Sequence, residues 1–257
     1  MKHESSARLK FISDPQSVNM AEEWFEIANL EHFWIRRRFA VVKQLLGRID
    51  LAGKRICEIG CGHGLVQRQF ELGYAATVDG LELNLPALKA NISQRGRLYF
   101  YDIFERKPQF QESYDFIILF DVLEHVDDDR GFLSIAVEML RPGGMVAINV
   151  PARQELYSDY DVRAGHVRRY SLGSLTRLAE SAKLAVKKSS YWGSPLVPLL
   201  WIRKKLLKGK KPDEVIREGF SPRNRFVNSA LSALACVEWL PNQFFGTSAM
   251  LVAEKGR

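Results

Sequence analysis

Three glycines at alternate positions, Gly60, Gly62 and Gly64 in ICEIGCGHG (residues 56–64), follow an apolar run and the carboxylate of Glu58. Side chains at those positions would keep a ligand away from the backbone, and glycine tolerates the positive φ of a tight strand-to-helix turn. Glu82 closes a second apolar run, AATVDGLE, eighteen residues beyond Gly64. A carboxylate there can accept hydrogen bonds from both hydroxyls of a ribose. Asp79 in the same run is the competing acid. Loop and acid together describe a nucleoside-cofactor site. Two histidines, His125 in LEHV and His166 in DYDVRAGHVRRY, have the side chain best suited to removing a proton near neutral pH.

These residues need a scaffold that presents strand ends to one crevice. Apolar runs near 55–59, 75–82, 97–101, 115–120 and 145–150 read as strands. Helical periodicity covers 20–47, 64–72, 84–94 and 128–140, and Ser171 is placed to cap a helix through about residue 183. Strands separated by helices of this length imply parallel pairing through right-handed crossovers, with a ligand at the carboxyl ends of the strands.

The chain has 257 residues and 46% apolar content, enough for one α/β core. Cys57, Cys61 and Cys236 are too few for a disulfide framework, and no histidine–cysteine cluster has zinc spacing. MKHESSARLKFIS lacks the apolar stretch of a signal peptide, so a reducing cytoplasm is expected. The net charge of +7 raises a nucleic-acid reading, but no basic domain or stacking motif accompanies it.

A dinucleotide fingerprint would place its third glycine at position 65, which is leucine. The G-x-G-x-G form preceded by Glu58 resembles motif I of the class I S-adenosylmethionine-dependent methyltransferases. YDFIILFDVLEHV (114–126), LRPGG (140–144) and the final TSAMLVAEK match later motifs of that family in order. The resemblance extends to ubiquinone-pathway O-methyltransferases and to methyltransferases of cell-surface glycan and lipid-linked pathways. It implies a Rossmann-like α/β fold: a seven-stranded, mostly parallel sheet with helices on both faces and an antiparallel last strand. The segments would be a helical lid (1–50), a cofactor core (51–151) and an acceptor-specificity region with the closing strands (152–257).

Carried over residue by residue, the resemblance puts Gly60, Cys61, Gly62 and Gly64 beside the methionine and ribose of S-adenosylmethionine. Glu82, followed by Leu83, would take the ribose hydroxyls. Asp102, followed by Ile103, would meet the adenine amino group, or else simply cap a turn. Phe120 and Asp121 would border the adenosine. In EHFWIRRRF (31–39), Trp34, Arg36 and Arg38 would lie on the lid helix, with Arg38 or Arg36 reaching the methionine carboxylate. His125 and His166 are the candidate bases. Asp121, Glu124 and His125 also resemble an acidic metal pattern of the ubiquinone-pathway enzymes, with Asp in place of the first Glu; no metal is expected. The bases, the cofactor and an acceptor describe an enzyme; a cofactor-binding regulator without catalysis, or transfer to nitrogen or carbon, are the alternatives.

After Pro151, Tyr157, Asp161, His166, Arg168, Arg169 and Tyr170 sit in a loop suited to an anionic or sugar-bearing acceptor. Residues 191–211, YWGSPLVPLLWIRKKLLKGKK, turn from aromatic to basic and are too short to span a bilayer. They suit either peripheral contact with the inner membrane face or a buried helix pair with a basic loop.

Overall fold

The structure, a computed structural model, describes residues 8–14, 28–206 and 225–257. Eight strands form one sheet: β1 (Leu9–Phe11), β2 (Ile56–Ile59), β3 (Val78–Glu82), β4 (Leu98–Phe100), β5 (Tyr114–Phe120), β6 (Leu140–Pro151), β7 (Leu184–Trp192) and β8 (Ser248–Lys255). Their spatial order is β1-β4-β3-β2-β5-β6-β8-β7, and every pair is parallel except those of β8 with β6 and β7. The expected mostly parallel sheet with an antiparallel last strand is present. The eighth strand, β1, is an addition: three residues pairing Leu9, Lys10 and Phe11 with β4, too short to show a period in sequence.

Central β2 and β5 are buried almost throughout, as their uninterrupted apolar runs require. One face of the sheet is covered by α4 (Asp129–Glu138) and α6 (Leu172–Ser181), whose Phe132, Leu133, Leu175 and Leu178 join one core cluster. The other is covered by α1 (Phe33–Leu46) and α2 (Leu65–Tyr74) through Val41, Val42, Leu45 and Phe70. Successive strands run outward from β2 through β3 to β4, then restart on its other side with β5. That reversal opens a crevice at the carboxyl ends of β2 and β5.

Helix boundaries differ from expectation for local reasons. The described part of the 20–47 segment is helical from Phe33, where the His32 ring caps the Trp34 amide at 3.3 Å; residues 20–27 lie outside the described residues. The segment expected to be helical over 84–94 is only α3 (Leu85–Lys89). Asn91 stops it: its Oδ1 accepts from the Ser93 amide and hydroxyl, and its amide donates to Gln67. Ser171 caps α6 as expected, accepting from the Ser174 amide at 3.0 Å.

Strand β7 takes up the start of the 191–211 stretch, for which the sequence left peripheral membrane contact and a buried helix pair both open. Its last residue, Trp192, is fully buried, donates from Nε1 to Asn149 Oδ1 at 2.8 Å and packs 4.3 Å from the Trp34 ring. The chain then enters α7 (Val197–Leu206); residues 207–211 lie outside the described residues. Two short helices complete the described fold: α5 (Asp159–Ala164) in the post-β6 loop and α8 (Arg225–Cys236). No described helix is long and apolar enough to cross a membrane.

Candidate active site

A cavity opens at the carboxyl ends of β2, β3 and β5, where the topology predicts one. The glycine loop forms its floor. Gly60 has φ +73°, and a Cβ there would lie 2.5 Å from Val122 Cγ2, so glycine alone lets the loop turn beneath the site. Glu82 fixes this loop from the end of β3. Its Oε2 accepts from the Gly62 amide at 2.8 Å, and its Oε1 accepts from Leu83 and Asn84 at 2.7 and 2.9 Å. Burial pushes the Glu82 carboxyl up, against those three amides. Because Oε2 takes only one of these hydrogen bonds, it keeps a lone pair for a ligand hydroxyl. Asp79 lies elsewhere, bonded to the Arg97 amide at 2.8 Å; three residues along a strand place it on the opposite face from Glu82.

Helix α1 supplies the cation. Arg38 is buried in the cavity wall, paired with Asp121 and 5.3 Å from the Phe120 ring centroid, and its buried Nε has no hydrogen-bond partner. Arg36 is a correction: it points to solvent beside Glu31 at 3.6 Å, because two residues along a helix rotate the side chain to the far face. Trp34 and Glu58 also line the cavity, and Glu58 Oε2 accepts from the Gln67 amide at 3.1 Å. Burial drives the Glu58 carboxyl well up, with Arg38 opposing. Asp121 holds a left-handed φ of +55° at the end of β5, a strained conformation braced by the Asn149 amide at 2.6 Å.

The structure brings Trp34, Arg38, Glu58, Gly60, Cys61, Gly62, Glu82, Phe120, Asp121, His125 and His166 around one cavity. Four other expected residues lie away from it. Gly64 starts α2 with φ +82°, and a Cβ would press within 2.7 Å of the Asn91 side chain, so its glycine serves packing rather than a ligand. Gly64→Ala is therefore expected to cost about 1–3 kcal/mol of stability, measured by urea unfolding. Leu83 packs beside the small cluster around Leu88 and Leu98, and Ile103 is buried in the main core. Asp102 caps a turn, accepting from the Phe104 amide at 3.0 Å.

The sequence singled out neither His63, which lines the floor, nor Tyr160, which lines the roof; Arg169, expected in the acceptor loop, lines the roof as well. Glu124, expected only within the acidic metal pattern, is fully buried at the cavity wall, with neither carboxylate oxygen hydrogen-bonded. Burial, then the Asp121 charge, drives its carboxyl well up. The LEHV motif marked Glu124 as a metal candidate, but no sequence signal reports an unpartnered carboxylate.

The roof is the loop from β6 to α6, stitched to the LEHV turn by Val167 N–H to Glu124 O at 2.8 Å and Tyr170 O–H to Leu123 O at 3.1 Å. Within it, Asp161 is fully buried and accepts from Arg169 Nε and Nη2 at 2.8 and 3.1 Å. The same carboxylate meets His166 Nδ1 at 2.8 Å. Burial would raise the Asp161 carboxyl, but His166 and Arg169 hold it down at about 2. An ionised Asp161 fixes the proton of His166 on Nδ1 and leaves Nε2 as an acceptor. His125 stands edge-on to His166 at 4.8 Å, and burial, then His166, lowers its value to about 4.

Among the described residues, Glu124, His125 and His166 each offer a ligand atom within 4.8 Å of one another. Asp121 is not in that set; Arg38 and Asn149 engage its two oxygens.

The donor set fits an amino-acid-bearing nucleoside. Arg38 with its orphaned Nε suits a carboxylate, and Glu82 suits a ribose diol. Comparison with known proteins agrees. A family model described as a methyltransferase domain matches residues 30–189. A probable S-adenosylmethionine-dependent methyltransferase of Mycolicibacterium smegmatis is 29% identical over 61% of this chain and 61% of its own length. A ubiquinone biosynthesis O-methyltransferase of Pseudomonas savastanoi pv. phaseolicola is 32% identical over 38% of this chain and 45% of its own. The chain thus spans roughly half to three-fifths of these relatives. Among solved structures, phosphoethanolamine N-methyltransferase 2 of Haemonchus contortus in complex with S-adenosyl-L-methionine superposes with a TM-score of 0.57 at 18% identity, covering 88% of this chain and 56% of that one. The chain belongs to the class I S-adenosylmethionine-dependent methyltransferases, and S-adenosylmethionine is its cofactor.

Proposed function

We propose that this protein transfers a methyl group to a hydroxyl oxygen of a small or lipid-linked acceptor, with His166 as the base. The observation that carries this reading is the Asp161–His166 pair at 2.8 Å in the cavity roof, which leaves Nε2 of the ring to accept a proton. His125 is a poor base at neutral pH, since a group lowered to about 4 has little proton affinity there.

Arg38 would hold the methionine carboxylate and Glu82 the ribose hydroxyls, so that alignment is set by α1 and the end of β3. Bound there, S-adenosylmethionine supplies a methyl group already activated by its sulfonium. The acceptor oxygen would form the new O–CH3 bond as the methyl–sulfur bond breaks with its electron pair left on sulfur, giving S-adenosylhomocysteine, and the acceptor's O–H proton would pass to His166 Nε2. Trp34 and Phe120 help exclude water from this exchange. Glu124, whose two buried oxygens lack partners, is suited to accept from a second donor on the acceptor. It also supports a second reading, transfer to the nitrogen of an amine acceptor: bound as the cation, the amine would satisfy the buried carboxylate, and it would then lose a proton to His166 Nε2 so that its lone pair could take the methyl group. A metal at Glu124, His125 and His166 would compete with the base, since it would take the same Nε2 lone pair.

Methyl transfer from a carbon-13-labelled donor into an extract of the source cells tests the acceptor atom. The chemical shift of the labelled carbon is expected in the methyl-ether range. A shift in the N-methyl or C-methyl range would overturn the oxygen assignment while leaving methyl transfer intact.

A further inference from the structure

We infer that Asn149, which lies behind the cavity wall, is a positioning residue that presets Arg38 for the methionine carboxylate, given the role of Arg38 proposed above. An arginine on a helix has a long stem with many rotamers, and a ligand that must first order it binds less tightly. Arg38 is ordered by one carboxylate, that of Asp121. Asp121 in turn holds a left-handed φ of +55°, which a residue with a side chain keeps only when its neighbours enforce it. Asn149 restrains it twice. Its main-chain carbonyl accepts from the Asp121 amide at 2.8 Å, and its Nδ2 donates to Asp121 Oδ1 at 2.6 Å.

Packing alone asks for an apolar residue here. Val146, Ala147, Ile148 and Val150 of the same strand are all buried and apolar, and Asn149 is fully buried among them. Its hydrogen bonds fix its orientation. Oδ1 accepts from Trp192 Nε1 at 2.8 Å, on the side away from Asp121. An indole nitrogen only donates and an ionised carboxylate only accepts, so the amide satisfies both neighbours in a single orientation. Leucine would orphan the Trp192 N–H, and aspartate would set a second carboxylate against Asp121.

Both arms of the amide reach α1. Trp192 packs 4.3 Å from the Trp34 ring, and Asp121 pairs with Arg38. Trp34 and Arg38 are four residues apart on one face of the helix, and both line the cavity. Asn149 thus seats the cavity side of α1 at two points one turn apart. Without it the Asp121 carboxylate is free to rotate and Arg38 moves with it. Glu82, at the end of β3, shares none of these contacts, so the ribose end of the site stays in place.

Calorimetry with two ligands tests the proposal: S-adenosylhomocysteine, which carries the amino-acid end, and 5′-methylthioadenosine, which lacks it. Asn149→Ala is expected to bind S-adenosylhomocysteine at least about tenfold more weakly than the parent, and 5′-methylthioadenosine within about twofold. Arg38→Ala should show the same selectivity. The double variant should bind no more weakly than Arg38→Ala alone, because both losses pass through one guanidinium. Trp192→Phe keeps a ring against Trp34 and removes only the hydrogen bond to Oδ1, so a smaller loss of the same selectivity is expected; this variant carries the test if Asn149→Ala does not fold. Equal weakening of both ligands would make Asn149 a residue of general stability and overturn the proposal. Parent-like binding of both would overturn it too. No selectivity in Arg38→Ala would instead overturn the placement of Arg38, and this role of Asn149 with it, while the His166 reading would stand.

Discussion

Replacing His166 with alanine is expected to lower the rate of methyl transfer by about 10²–10⁴-fold, the usual contribution of a positioned general base. S-adenosylmethionine should bind the variant as tightly as the parent, because Arg38, Glu82 and the glycine loop are untouched. The pH profile gives the sharper readout. His125 stays neutral until the pH falls to about 4, and Asp161 stays ionised down to about 2. Between pH 5 and about 8 neither changes charge, so any variation of the parent's rate across that range that the alanine variant lacks is traced to residue 166 rather than to His125 or Asp161. Asp161→Asn should keep the ring in place yet lower the rate, since a neutral partner no longer stabilises the imidazolium formed as the proton is taken. The same change leaves Arg169 buried without its counter-ion, so its cost in stability must be measured beside its rate. A full rate in His166→Ala across this range would mean that alignment alone suffices.

Glu82→Ala is expected to weaken S-adenosylmethionine binding by about 1.5–3 kcal/mol, a loss of roughly 10- to 150-fold. Two effects combine. The ribose loses its acceptor, and the amides of Gly62, Leu83 and Asn84 lose theirs, so the loop above Gly60 is no longer held. Glu82→Gln separates the two: its carbonyl oxygen can still receive from two of the amides, but its NH2 group opposes the third. Calorimetry on the three proteins should rank parent above Gln above Ala. Unchanged affinity in Glu82→Ala would remove the carboxylate from the cofactor site.

Much of the fold was legible because strands β2 and β5 are buried on both faces, so their apolar runs stand out against the helices between them. The LEHV turn and the glycine loop carried the floor of the site, as both are short and contiguous. What stayed hidden depends on packing between distant segments. Arg38 rather than Arg36 faces the cavity because α1 has a single buried side, and a single sequence shows the run of arginines but not which one the core captures. Gly64 looks like Gly60 in the motif, yet its constraint comes from Asn91, twenty-seven residues away. Asp102 follows a strand end as Glu82 does, but the turn after it takes its carboxylate as a cap. Strand β7 was masked by KKSS, four polar residues in a strand that lies at the sheet edge, and so the sequence left Trp192 open between surface and core. The unpartnered Glu124 is a property of burial, which no residue type announces.

Transfer of radiolabelled methyl from S-adenosylmethionine into an extract of the source cells tests the central claim most directly. The expected result is label in an acceptor together with an equal amount of S-adenosylhomocysteine, both absent when the protein is omitted. Tight binding of S-adenosylmethionine with no labelled acceptor and no S-adenosylhomocysteine would contradict it, and would make the chain a binding protein on a methyltransferase fold.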